Sequence, residues 1–116
     1  MAVGSEVIPR RYLAAFLLLS LERAGTSYGY ELSETVRDHG LTVDLAGVYR
    51  SLRTMDQRGL VTASWAPSES GPDRRVYALT EAGRRAAADA ATELVALREA
   101  LSAALERFEL LAPDGR

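Results

Sequence analysis

The chain has 116 residues, no cysteine, one histidine and a formal charge of −2, with 47% hydrophobic and 26% charged residues. That length allows one domain with a modest core, and the composition is that of an ordinary soluble globule, not of a disordered or membrane chain. The missing cysteines exclude disulfides and thiolate chemistry and agree with a reducing cytoplasm. The small negative charge does not by itself announce a nucleic-acid binder, but net charge says little about where charges sit.

Residues 9–23 read as a first helix, with Pro9 suited to the first turn and Leu13, Phe16, Leu17 and Ser20 recurring at helical spacing. Leu18, Leu19 and Leu21 widen the apolar face until it nearly encircles the helix. A small domain can hardly cover such a helix alone, and a subunit interface is the simplest source of cover. The apolar run Tyr12 to Leu21 falls short of the ~20 residues that span a bilayer. Arg10 and Arg11 before it imitate a secretory signal, but the run passes into Glu22 and Arg23 with no small-residue cleavage site, which favours a buried helix. No membrane partner is expected. Gly25 ends the helix.

A second helix is expected from a cap at Thr26 or Ser27, with Tyr28, Leu32 and Val36 on one face and Gly40 as its stop. A short link, Leu41 to Val43, leads to Asp44, a strong N-cap for a third helix over Asp44 to Gln57. Val48, Leu52 and Met55 mark its inward face, and it ends before Gly59. The period then changes. Leu60 and Thr62 alternate with Val61, Ala63 and Trp65 as a strand of about six residues. After a turn-rich loop with Gly71-Pro72 at its tip, Arg74 to Leu79 form a second strand, closing a hairpin whose loop is too long for a tight turn. Thr80 caps a last helix from Glu81 to about Leu111. Its alanine-rich first half favours helix and permits close helix approach. Its second half carries Leu94, Leu97, Leu101, Ala104, Phe108 and Leu111 at spacings of three and four, a heptad seam. About 30 residues make a helix of ~45 Å, longer than the rest of the domain covers.

The chain is therefore expected to be mainly α with a two-stranded β wing. Residues 1–80 form a winged helix-turn-helix and residues 81–116 a dimerisation helix and tail, together one compact unit. In this architecture the third helix lies in the major groove and its first turns reach the bases, here Asp44, Leu45, Ala46, Gly47, Tyr49, Arg50 and Arg53. Arg50 and Arg53 project together on the face opposite Val48, Leu52 and Met55, and arginine suits both phosphate and the guanine edge. Arg74 and Arg75 stand at the base of the wing, where a minor-groove or phosphate contact fits. From Asp44 to Arg75 five arginines face four acids. That excess implies a weak field and a modest salt slope per subunit, so useful affinity needs a dimer.

Competing readings exist for each feature. Arg50 and Arg53 also fit a solvated helix face paired with Asp44 or Asp56, and Arg74 and Arg75 fit guards against edge aggregation. An enzyme is not expected: there is one histidine, His39, no phosphate-binding loop and no carboxylate pair with an obvious pocket. His39 beside Asp38 reads as a partner for the helix dipole. With Asp38 or Glu34 it offers too few ligands for a metal, so neither metal nor other cofactor is expected. The alternative from another class is a winged helix that docks a partner protein, the seam from Leu94 to Leu111 pairing with a different chain.

Three pieces carry a specific resemblance when taken in order: YGYEL (Tyr28 to Leu32), VYRSLRTMDQRGLV (Val48 to Val61) and DRRVYALTEAGRR (Asp73 to Arg85). Together they resemble the PadR family of bacterial transcriptional regulators, from about Arg11 into the last helix, and the single long last helix is similar to the family's compact branch. The resemblance implies a cytoplasmic homodimer held by the first and last helices, with two winged helices set for a palindromic operator in double-stranded DNA. It also implies repression relieved by a small-molecule or stress signal. The expected DNA contacts are Ser27, Tyr28, Gly29, Ala46, Gly47, Tyr49, Arg50, Arg53, Arg74 and Arg75. The expected dimer interface is Leu13, Phe16, Leu17, Leu94, Leu97, Leu101, Ala104, Phe108 and Leu111.

Two departures from the family pattern matter. Leu45-Ala46-Gly47 stands where members often carry Pro-Gly-Ser/Thr, so no hydroxyl is present at Gly47 and Arg50 carries more of the reading. The only tryptophan, Trp65, lies on the first wing strand and not on the last helix, which leaves binding of flat aromatic drugs by that route unsupported. Tyr12, Phe16, Trp65 and Phe108 fit an apolar effector cavity at the interface, but simple core is the favoured reading of each.

Overall fold

A computed structural model describes residues 6–108. In chain order the elements are β1 (Glu6–Val7), α1 (Arg10–Ala24), β2 (Thr26–Tyr28), α2 (Gly29–Asp38), β3 (Leu41–Thr42), α3 (Leu45–Gln57), β4 (Val61–Ala66), β5 (Arg74–Leu79) and α4 (Glu81–Arg107). The result is a winged helix: three short helices, a small antiparallel sheet and a long final helix. Among the described residues no helix is long and apolar enough to cross a membrane.

Helix α1 is the centre of the core. Pro9 takes the N-cap position, just before the helix, and its carbonyl accepts from the N–H groups of Tyr12 (3.0 Å) and Leu13 (2.9 Å). Leu13, Leu17, Leu18 and Leu21 are buried among α2, α3, α4 and β5. The nearly all-round apolar face thus finds most of its cover within the same chain. This corrects the expected interface at two positions: Leu13 is 5% and Leu17 0% exposed, so neither presents surface to a partner. Phe16 is half-buried, its ring edge-on to His39 at 5.1 Å. Gly25 ends α1 at φ 85°, a conformation that favours glycine, with its N–H donating to the Leu21 carbonyl at 2.8 Å.

The start of α2 is also corrected. Thr26 to Tyr28 are not helix caps but a strand that pairs antiparallel with β5, Ser27 opposite Tyr77 and Tyr28 opposite Val76. The sheet order is β2-β5-β4, so β5 is central and pairs on both edges. The Ser27 hydroxyl donates to Glu31 Oε1 at 2.6 Å, inward and away from solvent. Ser33 is fully buried yet satisfied, donating to the Tyr30 carbonyl (2.7 Å) and accepting from Arg37 (3.1 Å). Arg37 also donates to the Val43 carbonyl at 3.3 Å, bracing the link between α2 and α3. That link holds a pairing the sequence did not signal. β3 runs parallel to β1, with Glu6 opposite Leu41 and Val7 opposite Thr42.

Helix α3 forms as the sequence implies. The Asp44 carboxylate accepts from Gly47 N at 2.7 Å, and Val48, Leu52 and Met55 are buried. Along β4, Val61 and Ala63 turn inward, but Trp65 is 64% exposed because the strand has run past the core into the wing. At the start of α4, Thr80 makes three contacts. Its Oγ1 accepts from Gly83 N (3.0 Å) and donates to the Gly59 carbonyl (2.7 Å), while its N–H donates to the Leu60 carbonyl (3.0 Å). Gly83 lies so close to the Leu60 carbonyl that a Cβ there would overlap it. Ala87 and Ala90 bury the next turns. Beyond them cover runs out: Leu94 and Leu97 are half-buried, while Leu101 (54%) and Phe108 (64%) are exposed. Leu111 lies outside the described residues.

Candidate nucleic-acid interface

The outer face of α3 is set by its inner one. With Val48, Leu52 and Met55 locked into the core, Ala46, Arg50 and Arg53 fall roughly opposite at 100° per residue, and all three are exposed. Among the described residues neither arginine takes part in an ion pair, so the expected alternative of pairing with Asp44 or Asp56 is not seen. Gly47 is half-buried, and its N–H is held by the Asp44 cap rather than free for a ligand.

Arg53 looks toward the wing. Between α3 and the β4–β5 hairpin lies a cleft of about 850 Å³, lined by Tyr28, Tyr30, Tyr49, Arg53, Trp65 and Arg74 among others. The strand register builds its basic wall. Arg75 stands opposite Trp65 and Arg74 opposite Ala66. The Arg74 guanidinium lies over the Tyr28 ring at 4.4 Å from the centroid, and that of Arg75 over Trp65 at 5.4 Å. Such stacking steadies a guanidinium through the ring quadrupole while leaving its N–H groups free to point outward. The acids Asp56 and Asp73 also line the cleft, which tempers its positive field.

The structure therefore brings Tyr28, Tyr49, Arg53, Arg74 and Arg75 to one surface. Arg50 lies on the other flank of α3, facing α1. Two expected contacts are corrected. Ser27 is 4% exposed with its hydroxyl committed to Glu31, and Gly29 is buried beneath α3. The role of Gly29 is steric: a Cβ there would run into the Tyr49 ring, 2.5 Å from Cζ and 2.9 Å from the hydroxyl oxygen. Two exposed aromatics at the cleft are not among the expected DNA contacts, Tyr30 (50%) and Trp65 (64%), and at that exposure Trp65 is not core. The cross-strand register is what reveals Trp65, by placing it beside Arg75; Tyr30 sat within the YGYEL piece with no face assigned.

Residues 17–89 match the model of the transcriptional regulator PadR-like family. No curated protein matches by sequence. Among solved structures, a putative transcriptional regulator from Thermoplasma acidophilum is 26% identical, with 84% of this chain and 93% of that one covered and a TM-score of 0.72. A PadR family transcriptional regulator from Eggerthella lenta is also 26% identical, with coverage of 84% and 85% and a TM-score of 0.66. A PadR family transcription regulator from hypervirulent Clostridium difficile shares the fold at 23% identity, covering 81% of this chain and 98% of that one with a TM-score of 0.70. With a family match over more than half its length and an exposed arginine-bearing helix beside a basic wing, this chain belongs to the PadR-like family of transcriptional regulators, which are DNA-binding transcription factors and not enzymes.

Proposed function

We propose that the protein is a cytoplasmic homodimer that represses transcription by holding a palindromic operator and releases it on a small-molecule or stress signal. Residues 1–80 serve as the reading head and residues 81–116 as the dimer arm. The observation that carries this reading is the placement of Arg53, Arg74 and Arg75 around one cleft between α3 and the wing, with Arg50, which enters no ion pair among the described residues, on the same helix. Arg50 and Arg53 read base edges, while Arg74 and Arg75, steadied on their aromatic partners, hold phosphate or the minor groove. The exposed Leu101 and Phe108 support self-association through α4, since apolar side chains of this size in register form an interface in the family's architecture.

A base contact by arginine discriminates by about 1–3 kcal/mol. Two such residues in each of two subunits give about 4–12 kcal/mol, comparable to the ~4–10 kcal/mol that separates specific from non-specific binding. Arg50→Ala with Arg53→Ala is thus expected to abolish preference for a labelled fragment from upstream of the protein's own gene over random duplex. Sedimentation should show the dimer intact. The reading fails if the unmodified protein shows no salt-sensitive preference for that fragment, or if the double variant binds it unchanged. Reporter transcription from the same promoter, with and without the protein, separates repression from activation.

A further inference from the structure

On the flank of α3 away from the wing, a groove of about 1100 Å³ runs between α3 and α1. Its rim carries Arg10, Arg11, Arg50, Arg53 and Arg58 against one carboxylate, Asp44. In a chain of net charge −2 this is a steep local departure from the mean. The single acid is already occupied, since Asp44 caps α3 by accepting from Gly47 N at 2.7 Å. Among the described residues Arg10 and Arg58 enter no ion pair. Among them Arg11 forms an ion pair only with Glu93, at 3.4 Å with both side chains about 70% exposed and so worth little in water. The Arg11 guanidinium also lies 5.3 Å from the Tyr12 ring centroid.

Two further features show that the basic rim is built and not incidental. Arg10 and Arg11 occupy the first turn of α1, where no acid is present and where the helix dipole opposes cations. Local helix stability does not favour them there. That turn is also held against the start of α3: β1 pairs with β3, and Ile8 N donates to the Thr42 carbonyl at 3.1 Å. The floor beneath is apolar: Ile8, Leu13, Leu18 and Met55 are each 8% exposed or less, and Ala14, Val43, Leu60 and Ala86 are half-buried. The five guanidinium groups stand around it.

We propose that the DNA interface continues across α3 into this groove, with Arg10, Arg11 and Arg58 holding backbone phosphates on the flank opposite the wing. The inference rests on the DNA-binding reading above and deepens it. A helix ~10–12 Å across fills a major groove ~12 Å wide, which leaves one sugar-phosphate strand along each side of it. The wing serves one strand. Arg10, Arg11 and Arg58 serve the other, and Arg53, which lines both the cleft and the groove, joins the two sides. Surface charge counted along α3 and the wing alone misses this contribution, because α1 is far away in sequence.

The test measures binding of the full-length protein to its upstream fragment and to random duplex of equal length, across 50–200 mM salt. Each phosphate contact adds about 0.9 to the slope of log affinity against log salt. Arg10→Ala with Arg11→Ala is expected to lower the slope by about 1.8 per subunit on both duplexes. That is about twelve-fold less affinity lost over this salt range per subunit. Preference for the upstream fragment should be unchanged, and Arg58→Ala should lower the slope by about 0.9. Arg10→Lys with Arg11→Lys should retain the slope, because a phosphate contact needs the charge and not the fork. Both arginines are exposed, so folding is not at risk, and a circular dichroism melt confirms it. An unchanged slope in the alanine variant, with wild-type binding intact, overturns this inference alone. Absence of salt-sensitive binding by the wild type overturns the functional reading itself.

Discussion

Gly29→Ala tests how α2 and α3 are fitted together. Alanine is the better helix former by about 1 kcal/mol in a helix interior, and at Gly29, the first residue of α2, roughly half of that is expected, so propensity alone favours the change. The structure opposes it, because the new Cβ would lie 2.5 Å from Cζ and 2.9 Å from the hydroxyl oxygen of Tyr49. Overpacking of this kind costs about 1–3 kcal/mol. Tyr49 is 37% exposed, so its ring can swing outward at the lower part of that range. The net expectation is a loss of about 1 kcal/mol, or a Tm lower by about 5 °C for a domain of this size. In a Tyr49→Ala background the obstacle is gone, and Gly29→Ala should raise stability by up to about 0.5 kcal/mol. Chemical denaturation of the four proteins completes the cycle, with an expected coupling of about 1.5 kcal/mol. DNA titration adds a second readout: Gly29→Ala should weaken binding by displacing Tyr49 from the recognition surface. An equal effect of Gly29→Ala in both backgrounds would refute the steric account.

The other glycine packed against a neighbour behaves differently. Gly83→Ala meets the Leu60 main chain instead of a movable ring, so the loss is expected near 3 kcal/mol before a helix-propensity gain of about 1. Thermal melting should show a Tm about 10 °C lower, and an unchanged Tm would contradict the close approach. Leu101→Asp should dissociate the proposed dimer by roughly a thousand-fold, since two leucines lose about 2 kcal/mol each of burial. Leu101 is 54% exposed in the single chain, so the fold itself should survive; sedimentation at micromolar protein reads the outcome.

Much of the fold was legible because its determinants are local. The spacing of Val48, Leu52 and Met55 and the caps Asp44 and Thr80 define α3 and the start of α4 with no reference to the rest of the chain. What sequence missed depends on pairing between distant segments. Thr26 to Tyr28 carry good capping residues, but the free edge of β5 claims their backbone as a strand, a tertiary outcome that local propensity does not encode. The all-round apolar face of α1 correctly signalled several-sided cover, yet not who provides it: Leu17 is covered by its own chain, while Leu101 and Phe108 are left exposed. The exposed placement of Arg50, Arg53, Arg74 and Arg75 is legible from helix and hairpin geometry. The burial of Ser27 and Gly29 is not, since motif position says nothing of burial. Arg10 and Arg11 drew notice only as flanks of an apolar run, because their neighbours on α3 are some forty residues away.

The junction at Thr80 and Gly83 makes the long helix a lever with a stiff pivot. Three hydrogen bonds and a close main-chain contact weld its first turn to the root of the wing, so α4 does not swivel freely there. Its 27 residues extend ~40 Å from that pivot. A tilt of about 5° at the pivot moves the far end by about 3.5 Å, close to the ~3.4 Å rise of one base pair. In a dimer joined at the far end, such a tilt shifts the two recognition helices out of register with their half-sites by a full base step. On the function proposed above, a signal that merely leans this helix would suffice to release an operator, with no change in the residues proposed to touch DNA.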